Sequence, residues 1–256
     1  MQKVVKKSAY PQFIKNRVYR VIINYSYKPN CVSSGAGFFI SRNQFLTCFH
    51  VVFGNELVDI RKDLEFLKLK EANEHENLKL FFLNTAPSIQ VELGSGIRVN
   101  AVLRKFDQNY DAALLDVDVG QNKANICLLN DNFTPDYGDS IVFGGFPNQF
   151  SYKYDETPFG YHEGMISSFP VTIIGGGRYE HLQINSINLS GNSGAPLFIK
   201  GKKEVIGVIN GNMNWGRDDL LSANNNIVSN RVPLSIAYST TIKTLKEKTS
   251  IFSGII

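Results

Sequence analysis

The sequence predicts an all-β protein made of two packed antiparallel six-stranded β-barrels, and three observations lead to that class. Most of the 256 residues read as short β-branched or aromatic runs separated by turn residues. These runs fall into two sets on either side of the polar segment Gly120 to Asn125. Only two stretches show helical spacing instead, one within the first set and one at the end of the second. A sheet with an apolar face must bury it, and closing the sheet on itself does so without leaving open edges. The implied division is an N-terminal barrel over residues 1–122 and a C-terminal barrel over 123–256.

In chain order, Val18 to Tyr25 is β-branched and aromatic and forms the first strand. Gly37 to Ile40 and Gln44 to Val52 read as a hairpin around Ser41-Arg42-Asn43. Glu56 to Ala72 carries Leu57, Ile60, Leu64 and Leu67 at helical spacing among charges, which predicts a short surface helix inserted over about 55–73. Leu78 to Leu83, Ser88 to Leu93, Ile97 to Phe106 and Ala112 to Val119 complete the first set. The second set comprises Ser140 to Phe143, Gly164 to Phe169, Val171 to Ile174, His181 to Ile187, Ala195 to Ile199, Val205 to Ile209 and Leu234 to Tyr238. Asn210 to Asn230 is polar, with Asn224, Asn225 and Asn226 in a row, and reads as a long loop of the kind that borders sites. Ser239 is placed to cap a C-terminal helix over 240–248, with Ile242 and Leu245 facing the core.

Composition narrows the function classes. Hydrophobic content of 43% and charged content of 20% belong to an ordinary globular chain. A net charge of +4, with basic residues gathered at Lys3, Lys6 and Lys7 and in Lys243 to Lys248, makes no continuous basic face, so nucleic acid is not an expected partner. Cys31, Cys48 and Cys127 have neither metal-ligand spacing nor an even count, which favours a reducing compartment over a disulfide framework. The opening Met-Gln-Lys-Val-Val-Lys-Lys has no signal-peptide apolar core, and no run of about 18 apolar residues exists to span a membrane. A cytoplasmic protein without membrane partners is the expectation.

The chemistry concentrates in Asn188-Leu189-Ser190-Gly191-Asn192-Ser193-Gly194-Ala195-Pro196, a serine between glycines in a tight turn. A serine hydroxyl is a poor nucleophile near neutral pH and needs a base, which in turn needs an orienting group. His50 follows an apolar run, Phe45 to Phe49, and Asp111 precedes another, Ala112 to Leu115. Singly each is bland, since histidines pack in cores and aspartates end turns. Jointly, the chain order His50, Asp111, Ser193 is one of three known orders for such a triad. It also puts base and acid in the first strand set and nucleophile in the second.

These segments resemble a chymotrypsin-fold (trypsin-like) serine protease, most closely the protease domain of the HtrA/Deg-like family. Ser33-Ser34-Gly35-Ala36-Gly37-Phe38-Phe39-Ile40 and Leu46-Thr47-Cys48-Phe49-His50-Val51 are similar to that family's base motif. Asp111 to Leu115 resembles its acid motif, Asn188 to Pro196 its nucleophile motif, and Val205-Ile206-Gly207-Val208 the strand that follows. The resemblance spans roughly residues 30–250 and leaves no room beyond for a PDZ module.

It implies a serine endopeptidase acting on protein or peptide substrates through an acyl-enzyme, with no metal and no organic cofactor. Ser193 is the implied nucleophile, His50 the base and Asp111 its orienter. Gly191 and Ser193 would supply the oxyanion N–H groups. Asn192 stands where digestive relatives carry an aspartate that pairs with a freshly cut N-terminus, which implies maturation without zymogen cleavage. Ile187, Asn188 and Leu189 would form one wall of the S1 pocket, and Val208, Ile209 and Asn210 the other. No carboxylate sits there to select lysine or arginine, so an apolar or small P1 residue is expected. Cys48 is a rival nucleophile, and Asp107, Asp116 and Asp118 are rival acids, of which only Asp111 precedes the family's small-apolar run. His162 and His181 read as ordinary strand or loop residues. The competing class is a non-catalytic peptide-binding module on the same fold, against which the complete residue set argues.

Overall fold

The computed structural model describes residues 9–24, 32–53, 88–94, 96–147, 158–174, 177–215 and 232–254. The first barrel is a closed ring of strands β1 (Tyr19–Asn24), β2 (Val32–Phe39), β3 (Gln44–Thr47), β6 (Ala112–Val117), β5 (Arg98–Asp107) and β4 (Ser88–Glu92), in that spatial order. Its core is aromatic. Phe39 meets Tyr19 edge-on at 5.1 Å and Phe45 at 5.0 Å between ring centroids, and both phenylalanines are fully buried. Such edge contacts add about 0.5–1.5 kcal/mol each beyond the area they bury.

The second barrel closes through β8 (Ser140–Gly145), β9 (Gly160–Ser168), β12 (Leu182–Asn185), β15 (Val232–Thr241), β14 (Glu204–Trp215) and β13 (Pro196–Ile199), with β13 pairing both β8 and β14. The two-residue strand β7 (Leu128–Leu129) runs parallel beside β14, and β10 (Val171–Ile174) pairs with β11 (Gly177–Glu180) as a separate hairpin. The predicted double barrel is therefore the observed architecture.

Several boundaries differ from the sequence reading. The strand expected from Gln44 to Val52 stops at Thr47, and Phe49–Phe53 forms the helical turn α2. Phe49, Val51, Val52 and Phe53 are all buried, and one helical turn can bury these neighbours while turning His50 outward. A strand would send alternate residues to opposite faces and could not. The C-terminal helix, here α3 (Ile242–Lys248), begins later than expected. Ser239 and Thr240 lie buried in β15, paired with Ile209 and Val208, and Thr241 is the cap, its hydroxyl accepting the Thr244 N–H at 2.9 Å. Ile242 and Leu245 are fully buried, as expected. The expected loop from Asn210 is strand as far as Trp215, because β14 continues to pair with β15 through two register shifts. The expected insertion helix and the strand Leu78 to Leu83 lie outside the described residues.

Each end of the described chain sits on the barrel it does not belong to by sequence. Helix α1 (Ala9–Lys15), not foreseen from the sequence, rests on the second barrel: Phe13 meets Phe198 edge-on, and the Tyr10 hydroxyl donates to the Ile199 carbonyl at 3.0 Å. Beyond α3, Ile251 is fully buried, and Lys105 of β5 donates to the Ser250 carbonyl and the Ser253 hydroxyl. No helix among the described residues is long and apolar enough to cross a membrane.

Candidate active site

Register brings His50 and Asp111 together. Strands β3 and β6 are antiparallel with Thr47 opposite Ala113, so the chain leaving β3 and the chain entering β6 meet at the same end of the barrel. His50 leaves on α2, and Asp111 enters from a turn in which Asp107 accepts the Tyr110 N–H at 2.9 Å. Asp111 has φ 50°, the one non-glycine residue with positive φ among those described. Aspartate is among the few side chains that tolerate this left-handed region.

The Asp111 carboxylate is held from several directions. Its Oδ2 lies 2.7 Å from His50 Nδ1, and its Oδ1 accepts the His50 backbone N–H at 2.9 Å. Asn210 Nδ2 reaches Oδ2 at 3.3 Å and the Asp111 carbonyl at 3.2 Å, while Asn210 Oδ1 accepts from the Thr240 hydroxyl at 2.9 Å. Burial opposes a charged His50 imidazolium, but the Asp111 charge and hydrogen bond outweigh it and hold the His50 pKa above its usual 6.5. The second His50 nitrogen is left for other work, since the ring's Nδ1 is committed to the carboxylate.

The turn carrying Ser193 is clasped by both barrels. The Ser193 carbonyl accepts the Ala36 N–H of β2 at 2.7 Å, and the Gly194 N–H donates to the Ile209 carbonyl of β14 at 2.7 Å. Gly191 and Gly194 have φ of 101° and 90°. A Cβ on Gly194 would come within 2.0 Å of the Ala36 carbonyl and 2.5 Å of the Thr47 hydroxyl, so no other residue fits against the first barrel there. Ala195 is fully buried and does not share the positive φ, so its side chain adds no backbone strain to the turn. Among the described residues no backbone acceptor takes the N–H of Gly191 or Ser193.

The remaining residues singled out in the sequence divide clearly. Asp107 serves its turn, Asp116 pairs with Arg104 at 3.1 Å, and Asp118 accepts the Gly120 N–H, so none of the rival acids faces His50. Cys48 is fully buried with its thiol directed to the Ile209 carbonyl, and burial, then the Asp111 charge, push its pKa well above the usual value. A thiol so held is no nucleophile. Ile187 is exposed, Leu189 half-buried, and Asn188 buried with its amide donating to the Gly211 carbonyl across at β14. Val208 and Ile209 are core residues, and Asn210 donates to Asp111. Sequence reasoning missed that role of Asn210; its partners lie about a hundred residues away, and no local pattern marks them. His50, Asp111, Asn210, Gly211, Pro170, Tyr238 and His181 line a cleft of about 350 Å³.

Cys48, His50 and Asp111 place a thiol, an imidazole and a carboxylate within 4.8 Å of one another. The 2.7 Å between Nδ1 and Oδ2 is a hydrogen-bond length. Two ligands on a tetrahedral zinc at 2.0–2.3 Å each must stand roughly 3.3 Å or more apart. The cluster is built as a hydrogen-bonded pair beside a neutral thiol.

Residues 35–208 match the family model described as a trypsin-like peptidase domain. Comparison with curated proteins gives no match. Among solved structures, the chain is similar to the active form of the Rv3671c protease from M. tuberculosis, with a TM-score of 0.60 and 17% identity over 94% of this chain and 84% of that one. It is also similar to the serine endoprotease from Yersinia pestis, with a TM-score of 0.57 and 20% identity over 93% of this chain and 64% of that one, and so spans under two thirds of the Yersinia chain. At these identities the likeness is one of fold.

Proposed function

This chain belongs to the trypsin-like peptidase family, and from that premise we propose that it is a serine endopeptidase working through Ser193, His50 and Asp111. The observation that carries the reading is the doubly bonded His50–Asp111 pair, with Nδ1 at 2.7 Å and the backbone N–H at 2.9 Å. An imidazole so oriented carries its proton on Nδ1 and keeps Nε2 as the basic nitrogen.

Ser193 Oγ attacks the scissile carbonyl carbon as its proton passes to His50 Nε2, and the carbonyl oxygen takes the negative charge. The N–H groups of Gly191 and Ser193 stabilise that oxyanion, and each such donor is worth about 3–4 kcal/mol of barrier. The imidazolium gives its proton to the leaving amine as the C–N bond breaks, leaving an acyl-enzyme. Water then repeats the sequence and releases the acid. Asp111 orients the ring and stabilises the imidazolium. Substrates are peptides or proteins, with an apolar or small P1 residue set beside Ile187 and Leu189.

The test is labelling by a fluorophosphonate, which forms a stable ester only with an activated serine. Wild type labels, and Ser193→Ala and His50→Ala do not. Labelling that persists in Ser193→Ala, or none in wild type, overturns the reading.

A further inference from the structure

Asn192 separates the two N–H groups assigned to the oxyanion, and its own side chain is fully buried. Its amide nitrogen lies 3.1 Å from Nε2 of His162, on strand β9, thirty positions away in sequence. Among the described residues no other side-chain partner takes that amide, and Asn192 Oδ1 is buried without one. Strand β8 closes on the same residue. A Cβ on Gly145 would stand 2.4 Å from Asn192 Oδ1 and 2.7 Å from its Cα, so the asparagine lies flush on bare backbone. One residue on, the Phe146 N–H donates to the Gly191 carbonyl at 3.3 Å.

His162 is itself fixed. Its ring stacks on Phe143 of β8 at 5.0 Å with 17° between planes, and a Cβ on Gly160 would come within 3.0 Å of its Nε2. We propose that His162 is a positioning residue for the oxyanion site, holding the Asn192 side chain so that the flanking N–H groups of Gly191 and Ser193 stay aimed at one point. The inference rests on the serine-peptidase reading above.

The physical case follows from the turn's composition. Gly191 and Gly194 give it wide backbone freedom, and glycines make such a turn accessible without making it rigid. The Asn192 backbone is tied locally, its N–H to the Leu189 carbonyl at 3.1 Å and its carbonyl to the Ala195 N–H at 3.0 Å. Those bonds close the turn on itself; the His162 contact adds a side-chain anchor to the second barrel beside the Gly194–Ile209 and Phe146–Gly191 backbone bonds. Burial keeps His162 below the usual histidine pKa, so the ring is neutral, and in the tautomer that carries its proton on Nδ1 the Nε2 lone pair accepts the Asn192 N–H. A buried amide deprived of its partner is costly and is driven to rearrange. Oxyanion donors act only within a few tenths of an ångström of their target, so a shifted turn costs rate before it costs fold.

The experiment compares His162→Leu with His162→Gln, a replacement that keeps a hydrogen-bonding terminus. In His162→Leu, kcat falls roughly 10- to 100-fold, part of the 10²–10³ that losing a whole donor costs, with KM within about twofold. Affinity for a peptide boronate, which forms a tetrahedral adduct, falls in parallel, while that for a product peptide does not. His162→Gln recovers most of kcat. A Leu variant with kcat within twofold of wild type overturns the inference, as does a Gln variant equally impaired with both melting temperatures lowered. Ser193-dependent fluorophosphonate labelling of wild type, run alongside, separates the two readings. Normal labelling with an indifferent His162→Leu overturns the positioning role alone, and no labelling overturns the peptidase reading and this role with it.

Discussion

The first barrel fixes its contribution with side-chain and backbone bonds converging on one carboxylate, whereas the second fixes its contribution mainly through backbone, with one buried side-chain contact. Asp111 is held by His50 twice and by Asn210 of the opposite barrel. The Ser193 turn is shaped by glycines, by an N–H from the first barrel and a carbonyl from the second, and by one buried asparagine contact. The difference follows from what each half must supply. A base needs a fixed tautomer and a charge beside it, which side chains provide. The proposed oxyanion site needs exposed N–H groups, which a backbone left otherwise unbonded can present.

The comparison breaks most directly at the reacting atoms. Ser193→Ala is expected to lower kcat by about 10⁵–10⁶, leaving the rate that binding and oxyanion donors supply alone. Asp111→Asn should cost about 10⁴ in kcat while leaving the fold in place, because the amide no longer secures Nδ1–H and no longer stabilises the imidazolium. Both are read from peptide hydrolysis with folding checked by circular dichroism. Gly194→Ala tests the backbone side. Positive φ and a clash with the Ala36 carbonyl should lower stability by about 2–4 kcal/mol in urea unfolding, and Ser193 labelling should fall with it. Asn210→Ala sharpens the contrast, since Asp111 keeps both His50 bonds. A loss of about tenfold in kcat/KM is expected.

The smallest effect is one of pH, and its sign differs between activity and stability. His50 has its pKa raised above 6.5, so kcat/KM should fall as pH drops through a value above 6.5. Stability runs the other way. The protonated His50–Asp111 pair contributes fully below 6.5, and that contribution is lost as pH rises through the raised folded-state value. Burial lowers the pKa of His162 and His181, which erodes stability as pH falls below 6.5. The His50 share is therefore read as the difference between wild type and His50→Asn in urea midpoints across pH 5–9.

Much of this was legible in the sequence. Short apolar runs such as Val18 to Tyr25 and Ala112 to Val119, bounded by turn residues, carry strand geometry on their face, and pairing them into two closed rings needs little more. Asp111, just ahead of β6, was readable for the same reason, whereas His50, expected to close a strand, sits on the helical turn α2. Short helices were not. Helix α2 is a single turn and α1 is seven residues with Pro11 within it, too brief for a period to declare itself. The start of α3 was ambiguous because Ser239, Thr240 and Thr241 are all cap-forming types. Pairing with β14 decides the matter by drawing the first two into the sheet. Asn210 and His162 illustrate a different barrier. Their partners are set by tertiary contacts with Asp111 and Asn192, and neither has a neighbour in sequence that signals the role.

The crossed ends of the chain bear on how the molecule is held together as a topological object. Phe13 and Tyr10 grip the second barrel near its Phe198–Ile199 strand, while Lys105 of the first barrel grips the stretch Ser250 to Ser253. A cut in the connector Gly120 to Asn125 would therefore not release two independent halves, because each fragment retains a strap seated on the other. The two barrels are thus tied three times over, once through the connector and once through each crossed end.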